Sequence, residues 1–193
     1  MSLTLLGLNE RLQATWARVN ALLLPPVVEC GAMPWMSLLY VFFLVIPFVV
    51  PKNLGADPVL TLLSLALFLP VYFAFYWYRG ARRVFLLGVM AALGVALLPA
   101  NFFANSYLIY SNVLAAFLPL RQMLVIVVVT QAAFAGAMLS LDPGPDTQFF
   151  IGLNLVTTLF ASICNRAWLA RARQNQALRL SQEEVQRLAR VAE

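Results

Sequence analysis

The sequence predicts an all-α membrane protein, a polytopic bundle of about six spans that ends in a charged cytoplasmic helix. Hydrophobic residues make up 62% of the 193 residues and charged residues 11%, and the mean hydropathy is +0.83. Apolar runs long enough, or nearly long enough, to cross a bilayer follow one another with short gaps. This composition excludes an ordinary soluble domain.

The first part of the chain, residues 1–26, has the pattern of an amphipathic helix at the membrane surface. Apolar side chains recur at three- and four-residue spacing until Pro25-Pro26 ends the pattern. The periodic positions are Leu5, Leu8, Leu12, Trp16, Val19 and Leu23. We expect a helix lying in the membrane interface, and the alternative is a flexible tail that contains several leucines.

The second part, residues 27–168, is the predicted transmembrane bundle. Its six spans are 35–50, 58–78, 84–99, 102–118, 122–140 and 149–168. The fourth is the weakest prediction, because it carries Asn105, Ser106, Tyr107, Tyr110, Ser111 and Asn112. The first reaches only about 24 Å as an α-helix, below a hydrocarbon core of about 30 Å. Such a span would couple the chain to bilayer thickness, unless its true bounds differ by a turn.

The basic residues orient this bundle. With both termini in the cytoplasm, every arginine falls on the cytoplasmic side and Lys52 alone falls outside, which is the positive-inside pattern. Five spans, the alternative count, would place either Arg11 and Arg18 or the arginine-rich C-terminal segment on the wrong side. The net charge of +5 therefore reflects membrane orientation and does not predict nucleic-acid binding.

Catalysis by this chain alone is not expected. The sequence has no histidine, which removes the commonest general base and the commonest metal ligand. The middle of each predicted span lacks acidic residues, and no phosphate-binding glycine motif occurs. We therefore expect no cofactor and no metal in this chain. Cys30 and Cys164 fall on the predicted cytoplasmic side and are interpreted as reduced, apolar fillers.

Lys52 and Asn53, at the outer end of the first span, are candidate sensing residues. A lysine there can extend its ammonium to the headgroups, so its depth would report bilayer thickness. The alternative is an ordinary interfacial anchor.

A polar stripe on the last span is a candidate helix-packing surface. Asn154, Thr158, Ala161 and Asn165 lie within about 60° on a helical wheel, flanked by Thr157 and Ser162. Small and polar side chains favour close helix contacts in lipid. The stripe predicts packing either against the chain's own spans or across a dimer.

The third part, residues 169–193, continues the last span as one charged helix without proline or glycine. Its candidate seam, with heptad a and d spacing, consists of Leu178, Ser181, Val185, Leu188 and Ala192. On an ideal helix this seam lies about 120–160° from the polar stripe. Two different partners, or a twist near residues 168–175, would reconcile the two faces.

Three segments resemble the DesK-type bacterial sensor histidine kinases of two-component systems. They are FLPVYFAFYWYRG at 68–80, SYLIYSNVLAAF at 106–117 and RLSQEEVQRLARVAE at 179–193. The last is similar to the linker that leads into the dimerisation and phosphoacceptor helix of that family. The resemblance covers roughly residues 35–193 and stops before the phosphorylated histidine and the ATP-binding domain.

The resemblance implies a membrane input domain in a bacterial inner membrane, working as a homodimer in contact with the lipid bilayer. ATP and Mg²⁺, and a response regulator as partner, are implied only for a kinase portion beyond this chain. Bilayer state, meaning thickness, order or temperature, is the implied stimulus. Lys52 with Asn53, and Thr157, Thr158 and Ser162, correspond to the polar outer site and the Ser/Thr-rich face that the family implies.

Two other functions fit the composition. A small transporter or channel would use the amides Asn101, Asn105, Asn112 and Asn154 as a polar path, although intramembrane charge and a convincing internal repeat are lacking. A membrane scaffold would recruit a soluble partner through residues 169–193.

Overall fold

The computed structural model describes residues 2–26, 28–29, 32, 34–49 and 56–192. All regular structure among these residues is helical, which confirms the all-α prediction. The α-helices are α1 Ser2–Leu23, α2 Pro34–Ser37, α3 Ile46–Val49, α4 Pro58–Trp77, α5 Ala81–Ala96, α6 Asn105–Leu114, α7 Leu120–Leu141 and α8 Pro145–Ala192. The 3₁₀ segments are Leu38–Val45, Phe102–Ala104 and Ala115–Phe117.

Local sequence signals set several of these bounds. Asp57 caps α4, because its carboxylate accepts from the backbone N–H groups of Val59 and Leu60 at 2.8 and 3.1 Å. Pro58 occupies the first position of that helix, where a missing N–H costs nothing. Gly80 adopts a φ of 63° between α4 and α5, a conformation that favours glycine. The predicted N-terminal helix is present and ends at Leu23, two residues before Pro25.

Three helices among the described residues are long and apolar enough to cross a membrane: α4, α7 and α8. The other apolar segments are shorter or interrupted. Helix α5 has 16 residues, and the first predicted span consists of consecutive pieces of 4, 8 and 4 residues. The fourth consists of pieces of 3, 10 and 3 residues. The exposed faces of α4, α7 and α8 carry many large apolar side chains, as a lipid-facing surface requires.

Helix α6 is the centre of the bundle. It packs against α5, α7, α8 and the 3₁₀ segment Leu38–Val45. Its polar side chains therefore meet protein: Ser111 donates to the carbonyl of Leu87 at 2.9 Å, and the hydroxyls of Tyr107 and Ser64 lie 3.0 Å apart. The polar character that made this span the weakest prediction follows from its central position.

Two ends of the bundle differ in chemistry. At one, here called the far end, the Asn101 amide donates to the Leu44 carbonyl and to the Thr61 hydroxyl at 3.3 and 3.1 Å. The other, here called the arginine end, is where α4 meets α5, where α6 meets α7 and where α8 leaves the bundle. It carries Arg79, Arg82, Arg83, Arg121, Arg166, Arg171 and Arg173.

The tryptophans gather at the arginine end and attach α1 to it. The rings of Trp16 and Trp35 lie 4.8 Å apart, and the Trp35 indole donates to the Asn20 side chain at 2.6 Å. The Trp77 indole donates to the Leu23 carbonyl at 2.9 Å. Trp168 lies where α8 leaves the bundle.

Candidate functional site: the anchored half of helix α8

Helix α8 is one uninterrupted 48-residue helix that belongs to the bundle over one half of its length only. Leu169 is 1% exposed, whereas every described side chain from Arg173 to Arg190 is exposed. The helix continues without a break through residues 168–175. The predicted twist near those residues is therefore not present as an interruption of the helix.

The polar stripe of the last span faces the bundle. Asn154, Thr158 and Ser162 are buried, Asn165 is half-buried and Thr157 is exposed. Two of the stripe's hydrogen bonds stay within α8: Thr158 donates to the Asn154 side chain at 3.4 Å, and Ser162 donates to the Thr158 carbonyl at 2.7 Å. Of the two predicted roles, packing against the chain's own helices accounts for this burial.

Where the stripe ends, two side chains of α8 bind carbonyls at and just after the C-terminal end of the central helix. The Asn165 amide donates to the Val113 carbonyl at 2.8 Å, and the Arg166 guanidinium donates to the Leu118 carbonyl at 3.0 Å. Carbonyls in the last turn of a helix lack partners within the helix, so donors from a neighbouring element satisfy them. These contacts fix α8 to α6 where α8 leaves the bundle.

An ion-pair cluster centred on Glu29 is the last contact between α8 and the bundle before α8 becomes exposed. The Glu29 carboxylate lies 2.7 Å from the Arg83 guanidinium and 3.6 Å from that of Arg173. Arg83 is buried, and its Nε also donates to the carbonyls of Phe75 and Tyr78 at 3.2 and 2.7 Å. Glu29 thus joins the beginning of α5 to the point where α8 becomes exposed.

Arg83 is enclosed by aromatic rings as well as by hydrogen-bond acceptors. Its guanidinium carbon lies 4.9 Å from the ring centre of Phe75 and 5.9 Å from that of Phe117. Such cation–π contacts are strongest where water is excluded. The cluster is therefore rigid on the Arg83 side and open on the Arg173 side, where the arginine is 55% exposed.

Sequence reasoning did not single out Glu29 or Arg83. One signal was available: Glu29 is the only acidic residue between Glu10 and Asp57, next to a membrane edge rich in arginine. A lone carboxylate in that setting needs a basic partner. Its partners come from residues 54 and 144 positions later in the chain, and no local pattern identifies them.

The candidate tail seam is free within the chain. Leu178, Val185 and Leu188 are each more than 60% exposed, and Ser181 is exposed. Ala192 belongs to the same helix. Lys52 and Asn53, the candidate sensing residues, lie outside the described residues.

The amides proposed for a polar path lie in three different surroundings. Asn101 is engaged at the far end, and Asn112 is buried, where it accepts a hydrogen bond from Thr130 at 2.7 Å. Asn105 and Asn154 share a cleft of about 160 Å³ at the far end, with Thr157 and five apolar side chains.

The interior also contains polar atoms without a partner among the described residues. They are both amide atoms of Gln131 and the amide nitrogen of Asn112. Within the same described residues, no group of three histidine, cysteine, aspartate or glutamate side chains could hold a metal ion.

Comparison with known proteins gives no relative from which a function could be transferred. No family model, no curated protein and no solved structure matches the chain.

Proposed function

We propose that this chain is the membrane input domain of a two-component sensor histidine kinase of the DesK type. The observation that carries the proposal is α8, which is anchored to the bundle through Arg173 and then extends as a bare helix to Ala192. A continuous helix transmits rotation or translation from one end to the other. Because residues 179–193 resemble a kinase linker, this movement would reach the dimerisation helix of a kinase.

In this proposal all six predicted spans cross the inner membrane of a bacterium, with both termini in the cytoplasm. The position of the arginines at one end of the bundle supports this orientation. A span shorter than the hydrocarbon core crosses the bilayer because flanking side chains extend to the interface, or because the bilayer becomes thinner beside it. Helix α1 lies in the cytoplasmic interface, with the Trp16 ring tilted against the Trp35 ring.

The active unit is a homodimer that pairs through the tail seam. Exposed leucine and valine side chains at heptad spacing support a coiled coil between two copies of the tail. The polar stripe is occupied by the bundle, on a face about 120–160° away. The part of α8 that packs on the bundle and the part that carries the seam therefore have different partners. A change in how the first part packs can then alter how the second part pairs.

The stimulus in this proposal is the state of the lipid bilayer, read by the bundle and by Lys52 and Asn53. Phosphoryl transfer from ATP with Mg²⁺, and contact with a response regulator, belong to a kinase portion after residue 193. This chain contributes no catalytic group to that chemistry.

A chimera tests the proposal. The dimerisation and ATP-binding domains of a histidine kinase are joined in helical register after Glu193, and autophosphorylation is measured in vesicles of short-chain and long-chain phosphatidylcholine. We expect the rate to differ between the two bilayers. Inserting one alanine after Ala170 should rotate the tail by about 100° and change the rate several-fold.

The matched control is a seven-residue insertion at the same position, which restores the helical phase to within about 20°. It should retain the parental response. Equal rates in both bilayers and in all three chimeras would contradict the proposal.

A membrane scaffold is the second candidate, because the exposed apolar residues of the tail equally fit a different soluble protein. The two candidates differ in what the seam binds. The seam of a kinase input domain binds a second copy of the same chain, whereas the seam of a scaffold binds a different soluble protein.

A further inference from the structure

The 3₁₀ segment Leu38–Val45 is unusually long. It contains eight residues, whereas 3₁₀ runs beyond three or four residues are uncommon because their hydrogen bonds are poorly aligned. It lies in the middle of the first predicted span, between the short helices α2 and α3. A conformation that is intrinsically unfavourable over this length requires a cause in the surrounding structure.

Pro47 supplies one cause. In an α-helix the Phe43 carbonyl would accept a hydrogen bond from the N–H group of residue 47, which proline lacks. The structure instead shows the Ile46 N–H donating to the Phe43 carbonyl, the 3₁₀ pattern. Pro47 therefore favours the 3₁₀ form at the far end of the segment.

The packing of the segment supplies a second cause. Leu44 is 2% exposed, and Leu38 and Val41 are half-buried against the same core, so burial recurs every third residue. This is the period of a 3₁₀ helix, and an α-helix would spread these three residues over about 120°. Leu39, Phe42, Phe43 and Val45 are exposed on the outer faces.

Hydrogen bonds hold both ends of the segment. Near the arginine end, the hydroxyl of Tyr72 donates to the Pro34 carbonyl at 2.7 Å, and that of Tyr110 donates to the Ser37 carbonyl. At the far end, the Leu44 carbonyl accepts from Asn101 at 3.3 Å. These three bonded carbonyls lie before the segment, at Pro34 and Ser37, and near its other end, at Leu44.

The helix type determines the length of the span. With eight residues in the 3₁₀ form the segment 34–49 extends about 28 Å, close to a hydrocarbon core of about 30 Å. As a continuous α-helix it would extend only about 24 Å. The conversion would also rotate the far end by about 160° relative to the arginine end, which would release the Leu44 carbonyl from the Asn101 amide.

We propose that Leu38–Val45 is an extensible segment that exchanges between a long 3₁₀ form and a short α form as bilayer thickness changes. A thick bilayer stabilises the long form, because it keeps both ends of the span at the interfaces. A thin bilayer favours the short form, which has better hydrogen bonds. The inference deepens the proposed function, on which its biological role rests, by naming the element that responds.

A distance measurement tests this inference in the whole chain. Leu39 and Val49, which are 67% and 70% exposed, are replaced by spin-labelled cysteine in a chain with Cys30→Ser and Cys164→Ser. The distance between the labels is measured by electron paramagnetic resonance in myristoleoyl and erucoyl phosphatidylcholine vesicles. We expect it to be about 3 Å longer in the thicker erucoyl bilayer, because six of the rises between the labels change from the α to the 3₁₀ value.

Pro47→Ala and Pro70→Ala form a matched pair of variants. Pro47→Ala restores the donor that the α form needs, so the distance should be short in both bilayers. Pro70 lies inside α4, which is regular, and Pro70→Ala should leave the thickness response unchanged. If a variant does not fold, the distance measured in the parental chain in the two bilayers is sufficient to test the inference.

An unchanged distance in the parental chain, or a full response in Pro47→Ala, would overturn the inference. A constant distance together with thickness-dependent phosphorylation in the chimera would overturn the extensible segment and leave the proposed function standing. A distance that changes with bilayer thickness, without any effect on phosphorylation, would support the extensible segment and overturn the proposed function.

Discussion

Arg83 shows how much structure one side chain organises at the arginine end. Its guanidinium binds Glu29 and the carbonyls of Phe75 and Tyr78, and it lies beside two aromatic rings. Arginine suits this position because its planar group donates in several fixed directions at once. The residue closes the end of α4 and holds the segment that contains Glu29.

Replacing Arg83 should therefore destabilise the bundle. We expect Arg83→Gln to lower the free energy of unfolding by about 2–4 kcal/mol, because buried acceptors lose a charged donor. Arg82→Gln is the matched control, since Arg82 is an exposed neighbour. Reversible unfolding in mixed micelles measures both, and equal effects of the two variants would contradict the role of Arg83.

Gln131 is the opposite case, a buried side chain whose polar atoms have no partner among the described residues. An unsatisfied buried amide is unfavourable, and methionine has nearly the same shape. We expect Gln131→Met to raise the free energy of unfolding by about 1–3 kcal/mol. A loss of stability in the same unfolding assay would show that the amide has a hydrogen-bond partner in the membrane.

At the scale of elements, the contact between α5 and α6 depends on a glycine. A side chain at Gly94 would place its Cβ 2.8 Å from Leu108 Cδ1 and 3.0 Å from the Leu108 backbone nitrogen. Small residues allow this approach of two helices within a membrane. The central helix is therefore close to its neighbour only because residue 94 lacks a side chain.

Gly94→Leu should separate α5 from α6 and cost about 1–3 kcal/mol of stability. Gly88 is the matched position in the same helix, because a Cβ there meets no atom within 4 Å. Gly88→Leu should be neutral or slightly stabilising, since glycine is a poor helix former. Thermal unfolding in detergent compares the two, and equal melting temperatures would contradict the close packing.

The elements differ in how far the sequence alone predicts them. Helices α4, α7 and α8 follow directly from long apolar runs, and α1 from its periodicity. The type of helix in Leu38–Val45 does not follow, because it depends on Pro47 together with partners far away in the chain. The Glu29 cluster likewise requires tertiary proximity that spacing does not reveal.

At the scale of the whole molecule, the chain has two parts: a packed helical bundle, and the tail, which is the exposed part of α8 from Arg173 onward. The tail has its apolar seam exposed and carries the charges of both signs that suit a coiled-coil surface. Most helical stability in proteins comes from packing of an amphipathic face, so a partner is expected to stabilise the tail.

Disulfide crosslinking tests whether that partner is a second copy. In the Cys30→Ser, Cys164→Ser chain we expect Val185→Cys to form a covalent dimer in membranes. Glu183→Cys is the control, because it lies about 160° away on the same helix and should crosslink poorly. Crosslinking at position 183 in preference to 185 would place the seam on another face.

The position of the tryptophans has a spectroscopic consequence. All four, Trp16, Trp35, Trp77 and Trp168, lie at the arginine end, and the rings of Trp16 and Trp35 lie 4.8 Å apart. The tryptophan fluorescence of the unmodified protein thus originates from one end of the bundle. Changes in tryptophan emission report how α1 and α8 leave the bundle, whereas the far end contributes no tryptophan signal.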